Sequence, residues 1–204
     1  VDYAISACSL PKLFKAGINK IPNKPYIFAP KRETPDFLKI NKLKIGICWA
    51  GNPSHTHNDR RSIRFEEFLP LCNDNVQLYS FQKGINLNYP GSRIIDLGDL
   101  LTNFTETASY ARKMDLIISI DTSVAHLAGA MGIPTWILLD VCNDWRWGLK
   151  TNKSIWYPSV QVFRQEKLYE WGSVFKLMVD QIQQMSHLCN KKGSKKQHSQ
   201  NNSP

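Results

Sequence analysis

Asp121, Thr122 and Ser123 stand where the apolar run "DLIISI" stops and the small-residue stretch "VAHLAGAMG" begins, and His126 follows about one turn later. Hydroxyls at such a junction suit a helix cap, accepting an orphan backbone N–H. The same helix start offers free N–H donors and the positive end of a dipole to an anion such as a diphosphate. Asp121 could accept hydrogen bonds from sugar hydroxyls, and His126 could face the same space. From spacing alone, the cap and the ligand site remain equally open.

A second cluster is "FQKG", with Gln82, Lys83 and Gly84 after an apolar run. Lysine there is either a solvated turn residue or a mobile point charge for a phosphate. A third is "GNPSHTHNDRRS", which carries Gly51, Asn52, His55, His57, Asp59, Arg60 and Arg61. Two histidines and one aspartate without further clustered ligands make a poor metal site. The arginines suit bidentate contact with phosphate or carboxylate, or a surface ion pair with Asp59 or Glu66. Trp145, Trp147 and Trp156 lie close together in "NDWRWG" and "IWYP"; packing of a loop is favoured over a stacking platform. No Ser-His-Asp order, P-loop or G-x-G-x-x-G fingerprint is present.

The elements that must carry these clusters alternate. "KLKIGICWAG" is an apolar run stopped by Gly51-Asn52-Pro53, hence a buried strand ending in a turn. "VQLYSFQKG" predicts a second strand, "SRIIDLGD" a third, "DLIISID" a fourth and "PTWILLD" a further one. "FEEFLPLC" is a short amphipathic stretch, while "TETASYARKM", "SVAHLAGAMG" (ended by Gly132) and "EWGSVFKLMVDQIQQM" have the helical period. Such alternation predicts an α/β fold: a Rossmann-like, mostly parallel sheet with helices on both faces. Ligands bind such sheets outside the carboxyl ends of the strands, at a topological switch point. The three polar clusters follow the first, second and fourth strands, so they predict one shared pocket.

The chain's 204 residues suit one domain with appendages. Its net charge of +9 lies at the ends: residues 1–47 contribute +6, residues 191–204 contribute +4, and the middle −1. That distribution does not indicate a basic groove for nucleic acid. The five cysteines (Cys8, Cys48, Cys72, Cys142, Cys189) form no CxxC, which argues against a disulfide framework and a zinc site. No apolar run is long enough to cross a bilayer and no signal peptide is visible, so the expected compartment is the cytoplasm. Residues 1–42 read as a connecting segment that packs on something. Residues 189–204 read as a disordered basic tail.

"KIGICWAGNPSHTHNDRRSI", "YSFQKG", "MDLIISIDTSVAHLAGAMGIPTWILL", "DWRWG" and "WYPSVQVFRQ" together resemble the C-terminal domain of the heptosyltransferase-like glycosyltransferases. The nearest branch is the bacterial one in which this domain follows tetratricopeptide repeats, and the resemblance runs from about residue 1 to 186. It implies a GT-B architecture, two Rossmann-like domains facing across a cleft, with a nucleotide-sugar donor on the C-terminal one. It further implies inverting transfer without a metal or cofactor. On it, residues 43–188 are the donor-binding domain, and residues 1–42 are the last piece of the N-terminal domain and the interdomain connection. Asp121, Thr122 and His126 match the family's D-T-x-x-x-H element, with Ser123 where heptosyltransferases proper have glycine. Lys83 matches a lysine near the diphosphate, implying stabilisation of the leaving group; Asn52 and His55 match the turn after the first strand. Gly51, Arg61, Gln82 and Ser123 complete the candidate donor set. The general base is expected outside this chain, on an N-terminal domain supplied by a complementary chain or absent through truncation. The expected partners are a nucleotide sugar and an acceptor, protein or glycan or lipid, with no specific nucleic acid and no membrane span. The alternatives are a non-catalytic nucleotide-sugar binding module and an interaction domain without a small-molecule ligand.

Overall fold

The apolar runs of the chain pair with one another as strands, the central ones buried on both faces, which leaves the backbone ladder to satisfy their polar groups. The computed structural model describes residues 4–85 and 93–200. Its strands are β1 (Leu43–Cys48), β2 (Val76–Ser80), β3 (Ile94–Asp96), β4 (Leu116–Ile120), β5 (Thr135–Leu139) and β6 (Val160–Arg164). They form one sheet of order β3-β2-β1-β4-β5-β6 in which every pairing is parallel. This is a Rossmann-like α/β fold. β1 lies between β2 and β4, so the chain leaves β1 to one side and returns on the other. That is the switch point of the sheet. β6, which pairs along its whole length with β5, was not among the strands expected from the sequence.

Helical elements cover both faces. On one face lie the 3₁₀ segment Phe65–Leu71 and the long C-terminal helix, packed over Ile45, Ile47, Leu78, Ile118 and Leu138. Phe68 meets Phe175 edge-on at 4.9 Å between ring centroids. Pro70 lacks an N–H to continue a helix, in keeping with a single short 3₁₀ segment there. On the other face lie α3 (Phe104–Ala111) and α4 (Ser123–Ala130), packed over Tyr79, Phe81, Ile117 and Ile137. The remaining helices in chain order are α1 (Leu10–Leu13), α2 (Asn58–Arg61) and the C-terminal α5 (Gly172–Gln200).

α4 ends in a Schellman arrangement. Gly132 adopts φ +73°, its N–H donates to the Gly129 carbonyl, and the Ile133 N–H donates to that of Ala128. Gly46, in the central strand, has Ile117 and Phe81 so close that a Cβ would lie 2.5–2.8 Å from their side chains.

Two expectations about the ends meet structure. The N-terminal segment packs along α3 and α4. Tyr26 and Ile27 N–H groups donate to the Ala130 carbonyl. Arg112 donates to the Ala29 and Pro30 carbonyls, and Lys113 donates to Thr34. At the other end, composition predicts disorder from residue 189, whereas the described backbone is helical as far as Gln200. Lysine and glutamine are good helix formers, and a helix already anchored by Phe175, Met178 and Ile182 can propagate through them without a new nucleus. Residues 201–204 lie outside the described residues.

Candidate functional site

Because β2, β1 and β4 are neighbours, the three polar clusters emerge side by side at the carboxyl edge of the sheet. Their side chains divide into two groups: those that tie the strand ends together and those that face open space.

Gln82 belongs to the first group. It is 6% exposed, and its Oε1 accepts from the backbone N–H groups of Trp49 (3.2 Å) and Ala50 (2.9 Å) and from Cys48 Sγ (3.6 Å). The amide thus holds the end of β1 against the end of β2. Cys48 Sγ also lies 3.7 Å from Thr122 Oγ1, which in turn lies 2.9 Å from Ser119 Oγ. A buried polar chain therefore crosses the three strand ends. Burial pushes the Cys48 thiol up from its ordinary value, against the opposing influence of Thr122, Ser119 and Arg61. The thiol accordingly stays protonated.

This corrects the capping expectation. Thr122 occupies the N-cap position of α4 with extended backbone, but its hydroxyl makes no cap hydrogen bond. The hydroxyl is turned inward to Ser119 instead, so α4 begins without a side-chain cap. Ser123 is exposed at the first helical position.

His126 is contacted through both ring nitrogens and one ring face. Its Nε2 lies 3.4 Å from Asp121 Oδ1, its Nδ1 lies 3.1 Å from the Tyr157 hydroxyl, and its ring stacks on Trp147 at 5.1 Å and 27°. Tyr157 can approach this closely because α4 carries Gly129 beneath it, where a Cβ would meet the tyrosine ring.

Asp121 is the member of the fourth-strand cluster that faces a cavity of about 210 Å³. On one wall stand His55, His57, Arg60 and Arg61 from the loop after β1; opposite are Asp121 and, from the end of β5, Asp140, Asn143 and Asp144. α2 sets Arg60 and Arg61 on a single helical turn, and Gly51 allows the approach, since a Cβ there would collide with the Arg61 guanidinium and Asn58. The Nε atoms of Arg60 and Arg61 are buried without a hydrogen-bond partner, and neither guanidinium pairs with a carboxylate among the described residues. Asp59, the nearer partner for the alternative of a surface ion pair, accepts from the Tyr169 hydroxyl. Across the cavity, Asp140 accepts from the Cys142 N–H. Burial works against the charge on Asp144, but bonds from the backbone and guanidinium of Arg146 outweigh it and hold the carboxyl below its usual range.

Of the candidate residues, then, His55, Arg61 and Asp121 share the cavity, with Gly51 giving Arg61 room. Gln82 and Thr122 are spent on internal bonds. Asn52 is exposed, its Oδ1 accepting from the Ser54 N–H. Lys83 is exposed in the turn before Gly84 (φ +76°) and does not line the cavity. Sequence reasoning missed Asp140 and Asn143; the one signal was the aspartate ending "PTWILLD", a polar strand end like the other three. Among the described residues, no group of three or more His, Cys, Asp or Glu is placed to hold a metal ion, and no helix is long and apolar enough to cross a membrane.

Fold and cavity together define a Rossmann-like α/β domain with a polar pocket at its switch point. No family model matches the chain, and no solved structure matches it. Over 143 residues it is 23% identical to Protein FlbA of Caulobacter vibrioides, in an alignment covering 63% of this chain and 23% of FlbA. The chain thus spans under a quarter of the length of that relative.

Proposed function

We propose that this chain is the donor-binding domain of a glycosyltransferase of GT-B architecture, and that its cavity takes the diphosphate and sugar of a nucleotide sugar. The observation that carries the reading is the polarity of the cavity. Two arginines with buried, unpartnered Nε atoms face Asp121 and Asp140 across about 210 Å³. Guanidinium groups without a protein carboxylate suit a phosphate, while carboxylates suit the hydroxyls of a sugar.

In the transfer, an acceptor oxygen bonds to the anomeric carbon as the bond from that carbon to the diphosphate oxygen breaks. The electron pair leaves with the diphosphate, whose charge grows in the transition state. Fixed cations aimed there lower the barrier because the interaction strengthens as the bond breaks. Arg60 and Arg61 fit that role on geometry better than Lys83, which lies outside the cavity. The acceptor's proton goes to a base that the family resemblance sets outside this chain.

A binding module without transfer is the second reading. A thermal-shift panel of nucleoside diphosphates and nucleotide sugars tests both. The donor reading expects a rise in melting temperature with at least one of them; a flat panel contradicts it. Donor binding without hydrolysis or transfer, with candidate acceptors and an N-terminal domain supplied, favours the module.

A further inference from the structure

We propose that Tyr157 is the positioning residue of this site: by donating its hydroxyl proton to Nδ1 of His126 it keeps the ring's own proton on Nε2, turned to Asp121.

The contacts that support this come from three separate segments. The Tyr157 hydroxyl lies 3.1 Å from Nδ1, Asp121 Oδ1 lies 3.4 Å from Nε2, and Trp147 stacks on the ring. An ionised carboxylate can only accept, so the nitrogen beside Asp121 carries the proton. In the neutral ring the other nitrogen must then accept, and the phenol must donate. Burial pushes the Tyr157 phenol up, with the neighbouring Tyr26 adding to it, so the hydroxyl keeps its proton and remains a donor. The charged and titratable groups around His126 are Asp121 from the turn before α4, Asp144 from the loop after β5, and Tyr157. Arg146 and Tyr26 act on Tyr157, and Arg146 also pairs with Asp144. Asp121 is held by one oxygen against Nε2, which fixes how the carboxylate sits at the cavity wall.

Tyr26 extends the chain of contacts. It interacts with Tyr157 and its N–H is bonded to the end of α4, so a line of polar contacts runs from the N-terminal segment to the cavity wall: Tyr26, Tyr157, His126, Asp121. The consequence for a sugar ligand at Asp121 rests on the reading of the cavity given above; the tautomer does not.

The test is long-range proton–nitrogen NMR of the histidines in the full chain, with His126 assigned by substitution and the tautomer of its neutral ring read in wild type and Tyr157→Phe. The expected wild-type spectrum shows a protonated Nε2 and an accepting Nδ1. Tyr157→Phe removes the donor to Nδ1, so in the variant the neutral ring is expected to lose its single Nε2–H pattern and to show Nδ1–H as well. Phenylalanine retains the ring against Gly129, so the variant is expected to fold, which circular dichroism checks. A wild-type ring protonated on Nδ1, or a tautomer pattern unchanged in folded Tyr157→Phe, overturns the proposal. Because no ligand enters this experiment, its failure is distinct from a failure to bind nucleoside diphosphates.

Discussion

Gln82 and Thr122 show how a polar residue at a strand end can be used up inside the protein. Both lie at strand ends of the cluster, as the spacing predicts, yet each side chain is used inside the protein. The sequence displays which polar groups reach the sheet edge but not which of them the backbone consumes. Gln82 is the sharper case, because one oxygen accepts from Trp49, Ala50 and Cys48. Gln82→Ala leaves two partly or fully buried N–H groups without that acceptor and is expected to cost about 1–3 kcal/mol in urea unfolding; an unchanged midpoint would show that the amide does not hold the β1 end. Cys48 gives a second expectation at this scale. Buried and with its thiol pushed up, it should resist a thiol reagent under native conditions, whereas exposed Cys142 should react readily. Rapid labelling of Cys48 in the folded chain would contradict the closed polar chain described above.

Among the elements, the continuously buried central strands were legible and the half-buried edge strand β6 was not. β4 and β5 are buried throughout, mostly apolar and bounded by turn residues, so their nature follows from pattern alone. β6 alternates over only five residues, with Gln161 and Arg164 half-buried at the sheet edge, and no helix introduces it. α2 is a single turn that carries Arg60 and Arg61, too short to show a helical period. The end of α4 rests on one conformational demand that sequence did signal. Gly132 holds φ +73° with Pro25 against it, so Gly132→Ala strains the backbone and presses on the N-terminal segment. We expect a loss of about 1–2 kcal/mol, the usual cost of a left-handed L-residue, with some added from the contact. Thermal unfolding measures it, and a neutral result would mean that the Schellman turn contributes little.

At the scale of the whole molecule, strand order decided what sequence could not. The run of elements predicts a parallel sheet, but only the order β3-β2-β1-β4-β5-β6 puts the three polar ends next to one another and adds a fourth from β5. The N-terminal segment, irregular in sequence, is tied into the fold by side chains far along the chain. Tyr79 from β2 donates its hydroxyl to the Phe37 carbonyl, and burial pushes its phenol up to about 12, with the charge of Asp115 adding to it. A raised folded value means that stability is complete below the unfolded value near 10 and falls as pH rises from there through about 12. Spectrophotometric titration should accordingly show tyrosines that ionise only as the chain unfolds; ionisation of all tyrosines near pH 10 with the fold intact would contradict that burial. The central claim concerns the cavity itself, and isothermal calorimetry with nucleoside diphosphates on wild type and Arg61→Ala tests it most directly. The account predicts saturable binding by the wild-type chain and a loss of about ten-fold or more in the variant, as expected for a charge-assisted bond of roughly 1.5–3 kcal/mol. No binding by the folded wild type, or equal binding by both proteins, would contradict it.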